Sequence, residues 1–449
     1  MLENKILNIN AKIAVIGLGY VGLPLAVELA NIGFKVFGID IAEDKVESLK
    51  SGKSYVIDVK DQSIRRLINK NLFVSKDYSV ISNMDVIIIC VPTPLNKTKD
   101  PDITYINFVV EKIVKYMREE TLIILESTTY PGTTEELIVN VIESEKNFKV
   151  GKEFFVCFSP ERVDPANKNF NIKNTPKIIG GSTSTCLELG STLYGLFIEK
   201  IIKVRSTRVA EMTKLLENIF RSVNIALVNE LTHMSDRMGI NIWEVIEAAS
   251  TKPYGFMSFQ PGPGIGGHCI PLDPMYLSWK AKTLDFYSRF IELASDINGN
   301  MPRYVMNQII DILNDEEKSA KNSNILIIGL AYKKDIDDLR ESPAIEIFKL
   351  LKDKGANVSY YDSYVSYFYN ENEIIYSQEL TKENLQKADL VAIITDHSSI
   401  DYQFIINNSK IVYDTRNVTK KCEGDNIILL GGMNGGLEAP DLLGGDTFD

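Results

Sequence analysis

At 449 residues the chain is too long for a single hydrophobic core, so two or three domains are expected. Its 45% apolar content is that of a soluble globular protein. With 60 acidic residues against 49 lysines and arginines, the net charge is −11, which argues against nucleic acid as the main partner but allows a local basic pocket for phosphates.

Cysteine and histidine usage narrows the chemistry further. Cys90, Cys157, Cys186, Cys269 and Cys422 are odd in number and lack paired spacing. Neither a disulfide framework nor a zinc site is expected, which suits a reducing cytoplasm. The three histidines form no ligand pair at short spacing, so no metal is expected.

From the N-terminus, residues 11–34 are apolar enough to suggest a membrane span. Gly17, Gly19, Gly22, Pro24 and Glu28 interrupt the run, and a buried strand followed by a helix explains it better. No basic segment and cleavage site precede it, so a signal peptide is not expected. Residues 12–16 read as the strand, the helix runs to Ile32, and residues 35–40 form the next strand, ending in Asp40. Further apolar runs at 85–90, 121–125 and 154–158 alternate with helical stretches, the pattern of a doubly wound parallel sheet. This first domain is expected to span 1–205.

From Thr207 to about Met238, apolar residues recur at helical spacing without Gly or Pro, predicting one long connecting helix. More helix is expected over 243–249 and from Phe286 to about Leu313, so 206–315 reads as a helical middle domain of the kind that builds a dimer interface. A second α/β unit, 316–449, opens with a strand at 325–329. Ser342-Pro343 then starts a helix that Gly355 closes, and a strand at 358–361 ends in Asp362. The order echoes the first domain, as in an internal duplication. It lacks the second and third glycines and carries Lys333 and Lys334 in the loop, so it should bind something other than a dinucleotide. Residues 431–449 are glycine-rich and acidic, a composition that favours disorder over part of the segment.

Gly17-x-Gly19-x-x-Gly22 follows a strand, opens a helix and precedes Asp40, the context of a dinucleotide site. Pyrophosphate approaches the helix N-terminus, and Asp40 accepts the ribose hydroxyls, favouring NAD over NADP. Glu161 follows a strand end, where a carboxylate is either a general base or a surface loop residue. Thr93, Ser127 and Thr128 also follow strands; their hydroxyls either contact cofactor or water, or cap turns. Lys214 and Asn218 are four apart on the long helix, either as an oxyanion-holding pair or as a solvated stripe. Cys269 follows Pro261-Gly262-Pro263-Gly264-Ile265-Gly266-Gly267-His268, a loop that lets backbone approach a ligand. Cys90 and Cys157 fit small buried hydrophobes, whereas Cys269 fits a nucleophile, with Asp273 placed to position a water or the lysine.

Six ordered motifs resemble the nucleotide-sugar 6-dehydrogenase family: 17–22, Ser127-Thr128, Pro160-Glu161, 210–214 with Asn218, 266–269, and 329–335 followed by 340–342. The resemblance implies two Rossmann-like domains joined by a long helix and helical middle domain, usually as a homodimer. It makes Cys269 the nucleophile, Lys214 and Asn218 the oxyanion holders, Glu161 the base, and Thr128 and Asp273 the residues that arrange the hydrolytic water. The cofactor set it implies is Gly17, Gly19, Tyr20, Val21, Gly22, Asp40, Lys45, Thr93, Thr128 and Arg340. On the substrate side it implies Glu161, Arg162, Val163, Lys214, Asn218, Gly266, Tyr332, Lys333 and Arg416. Pro165 and Leu272 replace polar residues of the UDP-glucose enzymes. Those changes, with residues 217–221, 261–264 and 337–343, point to the branch acting on UDP-N-acetylhexosamines, with UDP-N-acetylglucosamine the expected substrate. The galacto and manno epimers and UDP-glucose remain alternatives, as do a two-electron β-hydroxyacid dehydrogenase and a catalytically inactive nucleotide-sugar sensor.

Overall fold

The computed structural model describes residues 2–56, 58–96, 100–163, 169–371 and 373–432. Pro165 and residues 433–449 of the terminal segment lie outside the described residues. The chain divides into two compact units, Met1–Asn218 with Leu272–Tyr287, and Ile219–Pro271 with Ser288–Asp449.

The first unit is built on an eight-stranded sheet. Its strands are β1 (Lys12–Ile16), β2 (Lys35–Ile39), β3 (Leu72–Ser75), β4 (Val86–Ile89), β5 (Thr121–Leu125), β6 (Phe154–Phe158), β7 (Lys177–Gly181) and β8 (Ile201–Val204). They lie in the order β3-β2-β1-β4-β5-β6-β7-β8, all neighbours parallel except β6 and β7. Ile13 and Val15 face one apolar core while Ala14 and Ile16 face another, and β4 and β5 alternate in the same way. Burial on both faces is why these strands read as unbroken apolar runs. The chain reverses at β1–β4, the switch point beside which α/β sheets bind ligands at the carboxyl ends of their strands.

The second unit holds a five-stranded parallel sheet in the order β10-β9-β13-β14-β15. Its strands are β9 (Asn324–Ile328), β10 (Asn357–Tyr361), β13 (Leu390–Ile393), β14 (Val412–Asp414) and β15 (Ile427–Leu429), with a hairpin of β11 (Tyr367–Asn370) and β12 (Glu373–Tyr376) beside it. Here too both faces are covered, by separate cores on the two sides of β9 and β13. The architecture is therefore mixed α/β, with two Rossmann-like sheets and a helical middle segment. The helix Thr207–Met238 is 32 residues long and crosses the division between the units, which falls after Asn218.

Helix ends follow local chemistry. Ser342 Oγ accepts the Ala344 N–H at 3.3 Å, Pro343 fills the first turn, and Gly355 closes the end at φ 83°. Arg289–Asp315 is helical, starting three residues later than the expected Phe286. The helix Asp273–Lys282, with Pro274 in its first turn, was not anticipated from the sequence. Among the described residues no helix is long and apolar enough to cross a membrane.

Candidate active site

In the first unit, the β1–helix turn is shaped by contacts that only glycine permits. Gly17 has φ 90°, and a Cβ there would lie 2.5 Å from the Cys90 carbonyl oxygen; one on Gly22 would lie 1.9 Å from that of Gly17. Gly19 is different, since a Cβ would meet nothing within 4 Å, leaving open space at the N-terminus of the helix Gly22–Ile32. The turn thus has room for a pyrophosphate over the helix end. Val21 is half-buried beside it and Tyr20 is exposed. Asp40, buried at the end of β2, accepts the Leu18 N–H at 2.9 Å and the Ala42 N–H at 3.0 Å. Lys45 Nζ lies 3.7 Å from the same carboxylate. Each oxygen keeps a lone pair for a ribose hydroxyl.

Three more strand ends carry polar groups. Thr128 is half-buried after β5, and Ser127 Oγ donates to the Val91 carbonyl at 2.8 Å. Thr93 is buried and its carbonyl accepts the Tyr276 hydroxyl. Glu161, after β6, is no surface loop carboxylate: its side chain is 14% exposed. Oε1 accepts the Arg162 and Val163 N–H groups at 2.6 and 2.7 Å, and Oε2 lies 3.3 Å from Lys177 Nζ. Burial works to raise its proton affinity, but the Lys177 charge and the two amides outweigh burial and hold it below the usual carboxylate range. Arg162 is engaged with Glu217 at 2.6 Å and with the Pro176 carbonyl at 2.6 Å.

Lys214 and Asn218 are 9% and 5% exposed, so the pair is no solvated stripe. Their face of the long helix is the packed one, shared with Ala210, Glu211 and Leu215. Asn218 Nδ2 donates at 2.5 Å to Oδ2 of Asp273, the first residue of the helix Asp273–Lys282. Burial pushes the Asp273 carboxyl up to about 6, while the Lys214 charge and the Asn218 hydrogen bond oppose the rise. A buried lysine, amide and carboxylate thus stand together, donors beside an acceptor of tunable protonation.

In the second unit the glycine-rich loop is anchored by amides. Asn229 Oδ1 accepts the Gly262 N–H at 3.1 Å, Asn229 donates to Asn298 at 3.0 Å, and Asn298 donates to the Ser222 carbonyl at 3.0 Å. Gly267, at φ 85°, donates its N–H to the Arg340 carbonyl at 2.9 Å. Cβ atoms on Gly266 and Gly267 would meet Tyr332 at 2.5 and 2.8 Å, so these glycines let the loop lie against that side chain. Cys269, beyond them, is exposed. Lys333 is half-buried, and Arg340 pairs with Asp338 through Nε and Nη2 at 3.0 and 2.6 Å. Arg416 donates to the Ile394 carbonyl at 2.8 Å and lies against Gly262.

The echo between the two sheets is visible in hydrogen bonds. Asp362 directly follows β10 as Asp40 directly follows β2, and accepts the Leu330 N–H at 2.6 Å as Asp40 accepts that of Leu18. Asp362, however, also accepts the N–H groups of Ala331, Tyr364 and Val365 and sits 2.9 Å from His397 Nε2. Its acceptor capacity is taken, so it has none left for a ribose.

Residues 11–198 match the NAD binding domain of the UDP-glucose/GDP-mannose dehydrogenase family, 208–300 its central domain, and 326–421 its UDP binding domain. The chain belongs to this family. It is an NAD-dependent UDP-sugar dehydrogenase, an oxidoreductase. A UDP-N-acetyl-D-mannosamine dehydrogenase of Methanococcus maripaludis is 34% identical over 94% of this chain and 97% of its own. A UDP-N-acetyl-D-glucosamine 6-dehydrogenase of Pseudomonas aeruginosa is 35% identical over 79% of this chain and 83% of its own. The structure of a UDP-D-ManNAc dehydrogenase from Pyrococcus horikoshii superposes with a TM-score of 0.85 at 32% identity, covering 94% of this chain and 99% of that one. Within the family's domains, the Gly17–Gly22 turn, Thr128 and Glu161 fall in the NAD binding domain. Lys214, Asn218, Cys269 and Asp273 fall in the central one, and Tyr332, Lys333, Arg340 and Arg416 in the UDP binding one.

Sequence reasoning missed Glu126, Lys177 and Tyr194, the buried group behind Glu161. The available signal was a glutamate directly after the apolar run 121–125, since such a residue needs a partner wherever it is buried.

Proposed function

We propose that this dehydrogenase oxidises C6 of a UDP-N-acetylhexosamine from alcohol to carboxylate, through covalent intermediates on Cys269. The observation that carries the reading is the buried trio of Lys214, Asn218 and Asp273, a donor pair that suits a developing oxyanion. The open turn at Gly19 and the Asp40 carboxylate fit NAD. When bound, NAD supplies a hydride acceptor, and two equivalents are needed to take an alcohol carbon to the acid level. The Cys269 thiolate adds to the C6 aldehyde carbon and sends the carbonyl electron pair to oxygen, where Lys214 and Asn218 hold it as a thiohemiacetal alkoxide. Loss of that carbon's hydride to a bound NAD would leave a thioester on the Cys269 sulfur. A water arranged by Thr128 and Asp273 and deprotonated by Glu161 then adds to the thioester and expels the thiolate, leaving the uronate. Tyr332, Lys333, Arg416, Gly266, Arg162 and Val163 are assigned to the UDP-sugar, and Arg340, Tyr20, Val21, Lys45 and Thr93 to the cofactor.

The sequence alone put the gluco epimer first. The manno-named relative aligns with more of the chain, at 94% against 79%, and this moves UDP-N-acetylmannosamine ahead of UDP-N-acetylglucosamine. Three functional segments are assigned: 1–205 for NAD, 206–315 as the helical middle, and 316–449 for the UDP-sugar. The enzyme is placed in the cytoplasm, where a thiol nucleophile stays reduced. It is further read as a homodimer, because Met212, Leu216, Phe220, Leu227, Met234 and Met238 are exposed and fall within an arc of about 80° on the long helix.

NADH absorbance across UDP-glucose and the manno, gluco and galacto UDP-N-acetylhexosamines tests the reading. An acetamido sugar should exceed UDP-glucose in kcat/KM by about tenfold or more, because unpaired polar groups in the pocket penalise the wrong sugar. UDP-glucose as the best substrate would sink the branch assignment. Binding of UDP-sugars with no NADH from any of them would mark an inactive sensor.

A further inference from the structure

The carboxylate read as general base is one end of a buried chain of charges. Glu126 follows β5, buried on both faces, and Lys177 is the first residue of β7; their side chains are 0% and 4% exposed. A charge in such a place persists only when paired. Lys177 Nζ lies 2.9 Å from Glu126 Oε2 and 3.3 Å from Glu161 Oε2, and 5.1 Å from the centre of the Tyr194 ring. The Tyr194 hydroxyl donates to the other oxygen of Glu126. Of the three charged groups, Glu161 is the most exposed. Its Oε1 already accepts two backbone N–H groups, and its Oε2 takes Lys177 while keeping one lone pair.

We propose that Lys177, braced by Glu126 and Tyr194, is a positioning residue that fixes Glu161 as an anion at the outer end of this chain. The inference rests on the reading of Glu161 as the base. The groups facing Glu161 from the elements around it are Lys177 of β7, Glu126 after β5, Cys90 after β4 and Tyr194 of the helix Ser184–Gly195, with Arg162 held aside by Glu217. Burial pushes Glu126 up, whereas Lys177 and the two amides overcome burial at Glu161 and hold it down. Lys177 therefore outweighs burial at the outer carboxylate, whereas at the inner one burial outweighs Lys177. Without that cation Glu161 would take up its proton at higher pH, and a base that must be ionised would lose activity there.

The test is the acidic limb of the kcat/KM–pH profile for uronate formation in wild type, Lys177→Gln, Lys177→Arg, Glu126→Gln and Glu161→Gln. In Lys177→Gln the limb should move up by about one pH unit or more, about a tenfold loss on its acid side. Lys177→Arg should restore it, and Glu126→Gln should leave it in place or lower it. If Lys177→Gln does not fold, Lys177→Gln/Glu126→Gln removes one charge of each sign, and its limb should lie above that of Glu126→Gln. A uniform loss at all pH values in the lysine variants, with the limb unmoved, would overturn the positioning role. Survival of the limb in Glu161→Gln would instead overturn the assignment of the base, so the two failures are distinguishable.

Discussion

Cys269, Lys214, Asn218 and Asp40 stand out in the sequence as candidates because each sits in a pattern with its own physical meaning: a glycine loop, a helical i, i+4 pair, a strand end. Their surroundings do not, since Lys177 and Glu126 are 51 residues apart and become partners only once β5 and β7 enter one sheet. Cys269→Ala should abolish uronate formation while leaving NAD affinity within about twofold, measured by product analysis and calorimetry; wild-type turnover would remove the nucleophile. Wild type should prefer NAD over NADP, and Asp40→Ala should narrow the ratio, because the carboxylate would face a 2′-phosphate of like charge. Asp273 makes a pH prediction. Its carboxyl is raised from 3.8 to about 6, so the stability it contributes is fully present below about pH 3.8 and lost as pH rises through about 6. That window carries about 3 kcal/mol. In urea unfolding from pH 4 to 7, wild type should lose stability relative to Asp273→Asn by a figure of that order. Parallel pH profiles would show that the carboxyl is not displaced.

Among the secondary-structure elements, long apolar runs announced the central strands because both of their faces are covered. The last two strands of the first sheet were harder to see: β8 has no fully buried residue, and β7 pairs antiparallel to β6 in a sheet otherwise read as parallel. The helix Asp273–Lys282 was hidden by the glycine-rich loop before it, although Asp-Pro is a helix-start signal. One motif residue, Glu211, joins elements. Its carboxylate accepts the N–H groups of Gly132 and Thr134 and the Thr134 hydroxyl at 2.6 to 2.9 Å, tying the long helix to the turn after β5. Glu211→Ala would leave those buried donors unpaired and should cost about 2 kcal/mol or more in denaturant unfolding. A change below about 0.5 kcal/mol would mean that water replaces the carboxylate.

For the whole molecule, the sequence disclosed the repeated strand–turn–helix–strand–Asp order, and the structure separates the two aspartates: His397 and backbone donors occupy Asp362, whereas Asp40 accepts only two backbone N–H groups. His397 lies 35 residues beyond Asp362, outside any local motif. The apolar stripe proposed as a subunit interface predicts that wild type sediments as a dimer and Leu216→Glu with Leu227→Glu as a monomer; a monomeric wild type or an unchanged variant would contradict it. The proposed reaction is a four-electron oxidation completed on one enzyme. Its most direct measurement is an endpoint titration of NADH formed against a limiting UDP-N-acetylhexosamine, with the product identified by mass. The thioester route predicts two NADH for each sugar, with uronate as product and little free aldehyde. A ratio near one, with an aldehyde or ketone as the product, would contradict it.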